Sequence, residues 1–362
     1  GGKGMTSVQH EFISGRTLDL QRSCTGRELT ASGVDRCHIA VSVIIPLWNG
    51  ERYLGECLHS VLSQTLQNIE VIIIDDASMD GSMVLADSYA ARDARIKVLH
   101  LHEKQGASVA RNLGLERARA EFIAFMDSDD RYPSVDVLEQ LYSKARATGA
   151  QICGGSLILM DDASRVIKWK VPGQFFEEER FYNYREYQYE GGFYRFLYRR
   201  VFLEVHQLRF PPRLRFEDPL FFVQAMLTAG SFYAMPFISY AYRKGHKCDT
   251  WGAKEAQDHV QGVRELLKLS RERRLESLHY SMAKNFLDSL RYRMGSMGPW
   301  RKLAEAFVVR REVDWEYIQR ENQKNKIQVS FWKMFWAAIS PARSRLPKCR
   351  PRNVLFLGSV SK

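Results

Sequence analysis

The sequence predicts an α/β protein: a mostly parallel sheet flanked by helices, with a helical, basic C-terminal extension. Three observations carry this. Short β-branched runs alternate with helical periodicity between residues 40 and 160. Acid-rich polar segments follow those runs, where open parallel sheets bind ligands. Residues 254–320 carry helical spacing without further strand-like runs.

Residues 1–38 are polar and lack sustained periodicity, so they read as a loose N-terminal arm in which Gly1–Gly4 is a remnant ahead of Met5. Val41–Ile45 is a strand covered on both faces, stopped by Pro46. Leu54, Leu58, Val61 and Leu62 recur at helical spacing. Val71–Ile74 is a second buried strand, Asp80–Ala91 a helix, and Ile96–Leu99 a shorter third strand. Ala107–Ala118 is a helix, Phe122–Met126 a fourth strand, Asp136–Thr148 a helix and Ile152–Met160 a further strand. Residues 161–250 are less regular and aromatic, as expected of a variable lobe packed on the sheet. Phe237–Tyr242 is strand-like within it, and Gln257–Ser270 and Leu275–Met294 are helices. The expected organisation is therefore an arm over 1–38, an α/β domain over 39–250 and a helical region over 251–362 with a basic, aromatic tail.

Composition narrows the function. At 362 residues and 45% apolar, the chain buries a sizeable core and is not mainly disordered. No run of eighteen apolar residues is present, which excludes a transmembrane helix on length. The six cysteines are scattered, with no C-x-x-C pair, which suits free thiols in the reducing cytoplasm and gives no cysteine zinc site. Of the formal charge of +11, nine units fall after Glu321, where no acid remains. The body is nearly neutral, unlike a nucleic-acid-binding domain.

The segments after the strands carry the candidate chemistry. They are Pro46-Leu47-Trp48-Asn49-Gly50, Asp75-Asp76-Ala77-Ser78, and Asp127-Ser128-Asp129-Asp130. Helix capping accounts for Ser78 or Asp80. It does not account for three acids within four residues, whose repulsion calls for a cation. If the chain is extended there, Asp127 and Asp129 share one side, where oxygen ligands would suit Mg²⁺ or Mn²⁺ shared with a phosphate-bearing substrate. No Gly-rich phosphate loop follows the first strand.

Val41–Asn49, Ile72–Ser82, Gly106–Gly114 with Ala110-Arg111-Asn112, and Asp127–Asp130 stand in the order and spacing of the family 2 glycosyltransferases, which this sequence resembles. The resemblance covers about residues 40–245 and implies an inverting enzyme of the GT-A fold, acting on a UDP-sugar with a divalent metal. By position it implies that Pro46, Trp48 and Asn49 line the nucleotide pocket and that Asp75 or Asp76 accepts from uracil. Trp48 replaces the tyrosine common in the family. Arg111 would lie beside the donor with Ser128, Asp127 would contact ribose or sugar, and Asp129 would hold the metal. Asp218, in Arg215-Phe216-Glu217-Asp218-Pro219, matches the family's general base, although Glu217 and Asp218 also suit the first turn of a helix. His246, with Lys244, either closes over the diphosphate or lies in a surface turn. His100 and His102, with no third ligand, read as structural.

The resemblance further implies an acceptor hydroxyl on a glycan or lipid-linked glycan, in bacterial cell-surface polysaccharide synthesis. Two other functions fit the fold: a nucleotide-sugar-binding protein without catalysis, and a nucleotidyltransferase. The intact acids argue against the first and the missing Gly-rich segment against the second. Phe331–Ile339 is short, aromatic and flanked by bases. It suits an in-plane helix on the anionic inner face of the cell membrane, or packing onto the protein.

Overall fold

The computed structural model describes residues 38–245, 251–324 and 328–340. Nine strands form one sheet: β1 Val41–Leu47, β2 Ile69–Asp75, β3 Ile96–His100, β4 Phe122–Phe125, β5 Ile152–Met160, β6 Val166–Lys168, β7 Arg180–Asn183, β8 Phe196–Arg199 and β9 Ser231–Arg243. The order is β3-β2-β1-β4-β8-β5-β9-β7, with β6 beside β5. Strands β1 to β4 are mutually parallel where they pair, as is β5 with β9. β6, β7 and β8 pair antiparallel with their neighbours.

The helices are α1 Glu51–Leu62, α2 Ser82–Ala90, α3 Ala107–Arg117, α4 Val137–Thr148, α5 Tyr184–Tyr187, α6 Arg200–Val205, α7 Glu217–Ala229, α8 Ala253–Glu272, α9 Glu276–Tyr292, α10 Pro299–Glu312, α11 Trp315–Lys324 and α12 Phe331–Ile339. Alternation in β1 and β2 explains their β-branched composition. Val43, Ile45, Val71 and Ile73 enter one core with α1 and α4, while Ile44, Ile72 and Ile74 enter a second with α3 and α7. This second core continues through α8 and α9 to Met334, Ala337 and Ala338 of α12. The C-terminal helices thus share a core with the sheet.

Two expectations change. Pro46 does not stop β1, which continues to Leu47 because the ladder to β4 has already ended at Ile44–Phe125. Residues 161–250 are not merely packed on the sheet; they contribute β6 to β9, and β9 pairs with both β5 and β7.

Candidate active site

The carboxyl ends of β1 and β2 are tied together by side chains. Asn49 takes a left-handed conformation (φ 48°). Its N–H donates to Ser78 Oγ (2.9 Å), and its Oδ1 accepts from the Met79 N–H (2.8 Å). The Gly50 N–H donates to Ser82 Oγ (2.8 Å), and Asp80 accepts from the Glu51 N–H (3.2 Å). Ser78 and Asp80 thus fasten the two loops to each other and neither is an N-cap, which is Gly50 for α1 and Gly81 for α2.

Asp75 and Asp76 are both buried and both serve the backbone. Asp76 accepts from the N–H groups of Gln105 (2.6 Å) and Gly106 (2.8 Å). This fixes the start of α3, where Gly106 has φ 96°, a conformation that disfavours any side chain. Asp75 accepts from the Ser78 N–H (3.2 Å) and lies 3.0 Å from His100 Nδ1. The other His100 nitrogen lies 3.0 Å from Asp87 Oδ1. These two carboxylates raise the His100 pKa against the opposing effect of burial. His100 therefore links Asp75 to Asp87.

Trp48 is half exposed beside this edge, and Lys104 lies over its indole, 3.0 Å from the ring centroid. Nothing in the spacing of the sequence marked Lys104.

The acidic segment after β4 is a turn, not an extended strand. The Asp130 N–H donates to Asp127 O (3.0 Å), so the alternation expected for Asp127 and Asp129 is replaced by convergence. Oxygens of Asp127, Asp129 and Asp130 all lie within 4.8 Å of one another. Asp130 accepts from the Tyr240 hydroxyl (2.8 Å) and from the Arg243 N–H (2.7 Å). Burial, with the charges of Asp129 and Asp127, pushes its carboxyl well above the usual range. The Arg243 guanidinium donates to Asp129 O (2.7 Å) and to Glu56 Oε2 (2.6 Å). Tyr240 and Arg243 of β9 thus shape the turn, a role the sequence left hidden between Phe237 and His246. Hard oxygen donors crowded this closely fit a divalent cation such as Mn²⁺ or Mg²⁺.

Arg111 on α3 joins this turn to the second acidic motif. Its guanidinium donates to Asp127 Oδ1 (2.8 Å) and Glu217 Oε1 (3.1 Å), and it packs against the rings of Phe193 and Phe210. The charges of Asp127 and Glu217 raise its pKa although burial opposes it. Asp218 lies in the first turn of α7. Burial, then the Glu217 charge, pushes its carboxyl up to about 7, with Arg111 pulling the other way. A carboxyl tuned there is suited to accept a proton near neutral pH.

Phe216 opens α7 in a left-handed conformation (φ 69°). It is held by α8: His259 meets its ring edge-on at 4.9 Å, and a Cβ on Gly262 would lie 2.4 Å from Phe216 Cδ1. Asp258 accepts from the Leu214 N–H (2.9 Å). The C-terminal helices therefore set the position of the Glu217–Asp218 pair. Gly262→Ala is expected to cost about 1–3 kcal/mol through overpacking. Calorimetric melting should show it, with kcat reduced more than donor affinity; unchanged melting and kcat would contradict this buttressing role.

The structure thus brings Asp127, Asp129, Arg111 and Asp218 into one site, with Ser128 in the same turn. Pro46, Trp48 and Asn49 stand on the adjoining edge of the sheet, and Asp75 and Asp76 support it. His246 lies outside the described residues.

Residues 42–205 match the family model described as Glycosyl transferase family 2. This segment belongs to glycosyltransferase family 2. The chain is 37% identical over 212 residues to the putative glycosyltransferase EpsH of Bacillus subtilis, covering 56% of this chain and 60% of that protein. It is 41% identical over 122 residues to the putative teichuronic acid biosynthesis glycosyltransferase TuaG of Bacillus subtilis, covering 33% and 48%. The chain thus spans less than two thirds of the length of these relatives. A crystal structure of S. aureus TarS 1-349 in complex with UDP-GlcNAc superposes with a TM-score of 0.56 at 22% identity, covering 67% of this chain and 71% of that one. The likeness establishes the shared fold, the GT-A arrangement expected for a family 2 glycosyltransferase.

Proposed function

We propose that this family 2 glycosyltransferase moves a sugar from a UDP-sugar to a hydroxyl of a glycan or lipid-linked glycan, with inversion at the anomeric carbon, in bacterial surface-polysaccharide assembly. The observation that carries the reading is the Arg111 bridge, which holds the acidic turn and the Glu217–Asp218 pair at one site. The donor class is supported by the UDP-GlcNAc complex of TarS, and the pathway by the likeness to TuaG, named for teichuronic acid biosynthesis. Asp129, with the acidic turn, would hold a divalent metal, which would supply positive charge to the diphosphate as it leaves. Trp48 and Asn49 face the nucleotide, and Asp127 with Arg111 orients the ribose and sugar. Asp218 takes the proton from the acceptor hydroxyl as its oxygen bonds to the anomeric carbon. The bond from that carbon to the diphosphate breaks in the same displacement, releasing UDP.

A thermal-shift panel of nucleotide sugars with and without Mn²⁺ tests the reading. UDP-sugars are expected to raise the melting temperature only when Mn²⁺ is present. Equal shifts from GDP-, CMP- and UDP-sugars, or none, would contradict it.

A further inference from the structure

The C-terminal helices carry an aromatic surface that the catalytic reading leaves unexplained. One side of α12 is buried through Met334, Ala337 and Ala338. The other exposes Trp332 (65%) and Trp336 (61%), one helical turn apart, with Ile339 beyond them. The surface continues onto α10. Phe307, itself exposed, meets Phe331 at 5.4 Å between ring centroids. Phe331 meets Trp332 at 5.6 Å, Trp332 meets Phe335 at 5.9 Å, and Phe335 meets Trp336 at 5.7 Å. Trp300, seven residues before Phe307 and so on the same side of α10, is 82% exposed. Exposed and half-buried rings in contact from Phe307 to Trp336, with Trp300 further along α10, mark a binding surface.

The charge around it selects the partner. Lys333 projects from the exposed side of α12, and Arg310 stands over the Phe331 ring at 4.5 Å. From Asn322 to Lys362 the sequence contains nine bases and no acid. Two copies meeting on this surface would bring the Lys333 and Arg310 charges of one against those of the other. An anionic lipid surface would attract them, and Trp and Phe rings settle at the headgroup level of a bilayer. No described helix is long and apolar enough to cross a membrane, so the contact would be in plane.

We infer that the row Trp300, Phe307, Phe331, Trp332, Phe335 and Trp336 on α10 and α12 is the face by which this chain lies on an anionic bilayer. It deepens the reading of a lipid-linked acceptor, yet its test reads lipid binding and needs no sugar transfer. The structure extends the sequence expectation, which placed the contact on 331–339 alone. One side of α12 packs onto the protein, and the opposite side is the one assigned here to the membrane.

The test is co-sedimentation of the full chain with vesicles of phosphatidylcholine alone and with added phosphatidylglycerol. Wild-type protein should sediment with the phosphatidylglycerol vesicles at least tenfold more than with phosphatidylcholine, and salt should weaken this. Trp332→Ala/Trp336→Ala should lose at least tenfold of that binding, and Trp300→Ala/Phe307→Ala a smaller share. Both pairs change exposed side chains, and unchanged melting would establish that each variant is folded. Undiminished vesicle binding by the α12 pair would overturn the inference. So would sedimentation velocity showing a wild-type dimer that the same pair breaks. Loss of UDP binding in wild-type protein would count against the donor reading alone.

Discussion

Asp218→Asn is expected to lower sugar transfer by about 10²- to 10⁴-fold while leaving UDP-sugar binding intact. The substitution keeps the shape of the side chain and removes its capacity to accept the acceptor's proton. Two further signatures distinguish a base from a residue that merely opens α7. In wild-type protein, transfer should rise with pH through about 7, as the Asp218 carboxyl ionises, and then level off. Stability should move the opposite way. The folded-state pKa is raised, so between the ordinary carboxylate range and about 7 the folded protein holds a proton the unfolded chain has lost. This group's contribution to stability therefore falls as pH rises across that window. Asp218→Asn removes the loss and should melt higher than wild type above neutrality. Pre-steady-state transfer assays and melting curves across pH would read both effects, and normal transfer by the variant would remove Asp218 from the mechanism.

Asp129→Ala should be the other severe lesion. If Asp129 holds the cation, its loss removes charge stabilisation of the departing diphosphate worth about 4 kcal/mol, about 10³-fold in rate. The expected stability change again has an informative sign. Asp127, Asp129 and Asp130 crowd within 4.8 Å, and the Asp130 pKa is raised by burial and by its two neighbours. Removing one charge relieves that repulsion. Metal-free Asp129→Ala should therefore melt no lower than metal-free wild type, despite having lost activity. A large fall in melting temperature would instead mark Asp129 as a structural residue of the turn.

The parts legible in the sequence were those written in local periodicity. β1, β2 and β4 are covered on both faces, so their composition is largely apolar, and β-branched in β1 and β2, and the helices between them repeat at helical spacing. Their boundaries agree with expectation to within a few residues. The acid-rich blocks were legible for a related reason: strand ends in a parallel sheet put their polar residues at one edge. What lay hidden depends on contacts between distant positions. Arg111 reaches Glu217 across 106 residues, and Arg243 reaches Asp129 across 114. No spacing rule connects them. β7 and the first half of β9 were obscured because their aromatic residues stand side by side, Phe181 with Tyr182 and Phe232 with Tyr233, and not at period two; the second half of β9, Phe237–Tyr242, was legible. Gly262 was silent because its purpose, room for Phe216, belongs to another element. The extended reading of Asp127 and Asp129 failed because the Asp130 N–H closes a turn on Asp127.

Calorimetric titration of UDP into wild-type protein and Asp129→Ala, each in Mn²⁺ and in EDTA, tests most directly whether the acidic turn grips the donor diphosphate through a cation. Wild type should bind UDP at least tenfold more tightly with Mn²⁺, and Asp129→Ala should bind it equally weakly in both. Mn²⁺-independent binding by wild type, or a Mn²⁺ effect retained by the variant, would contradict the account.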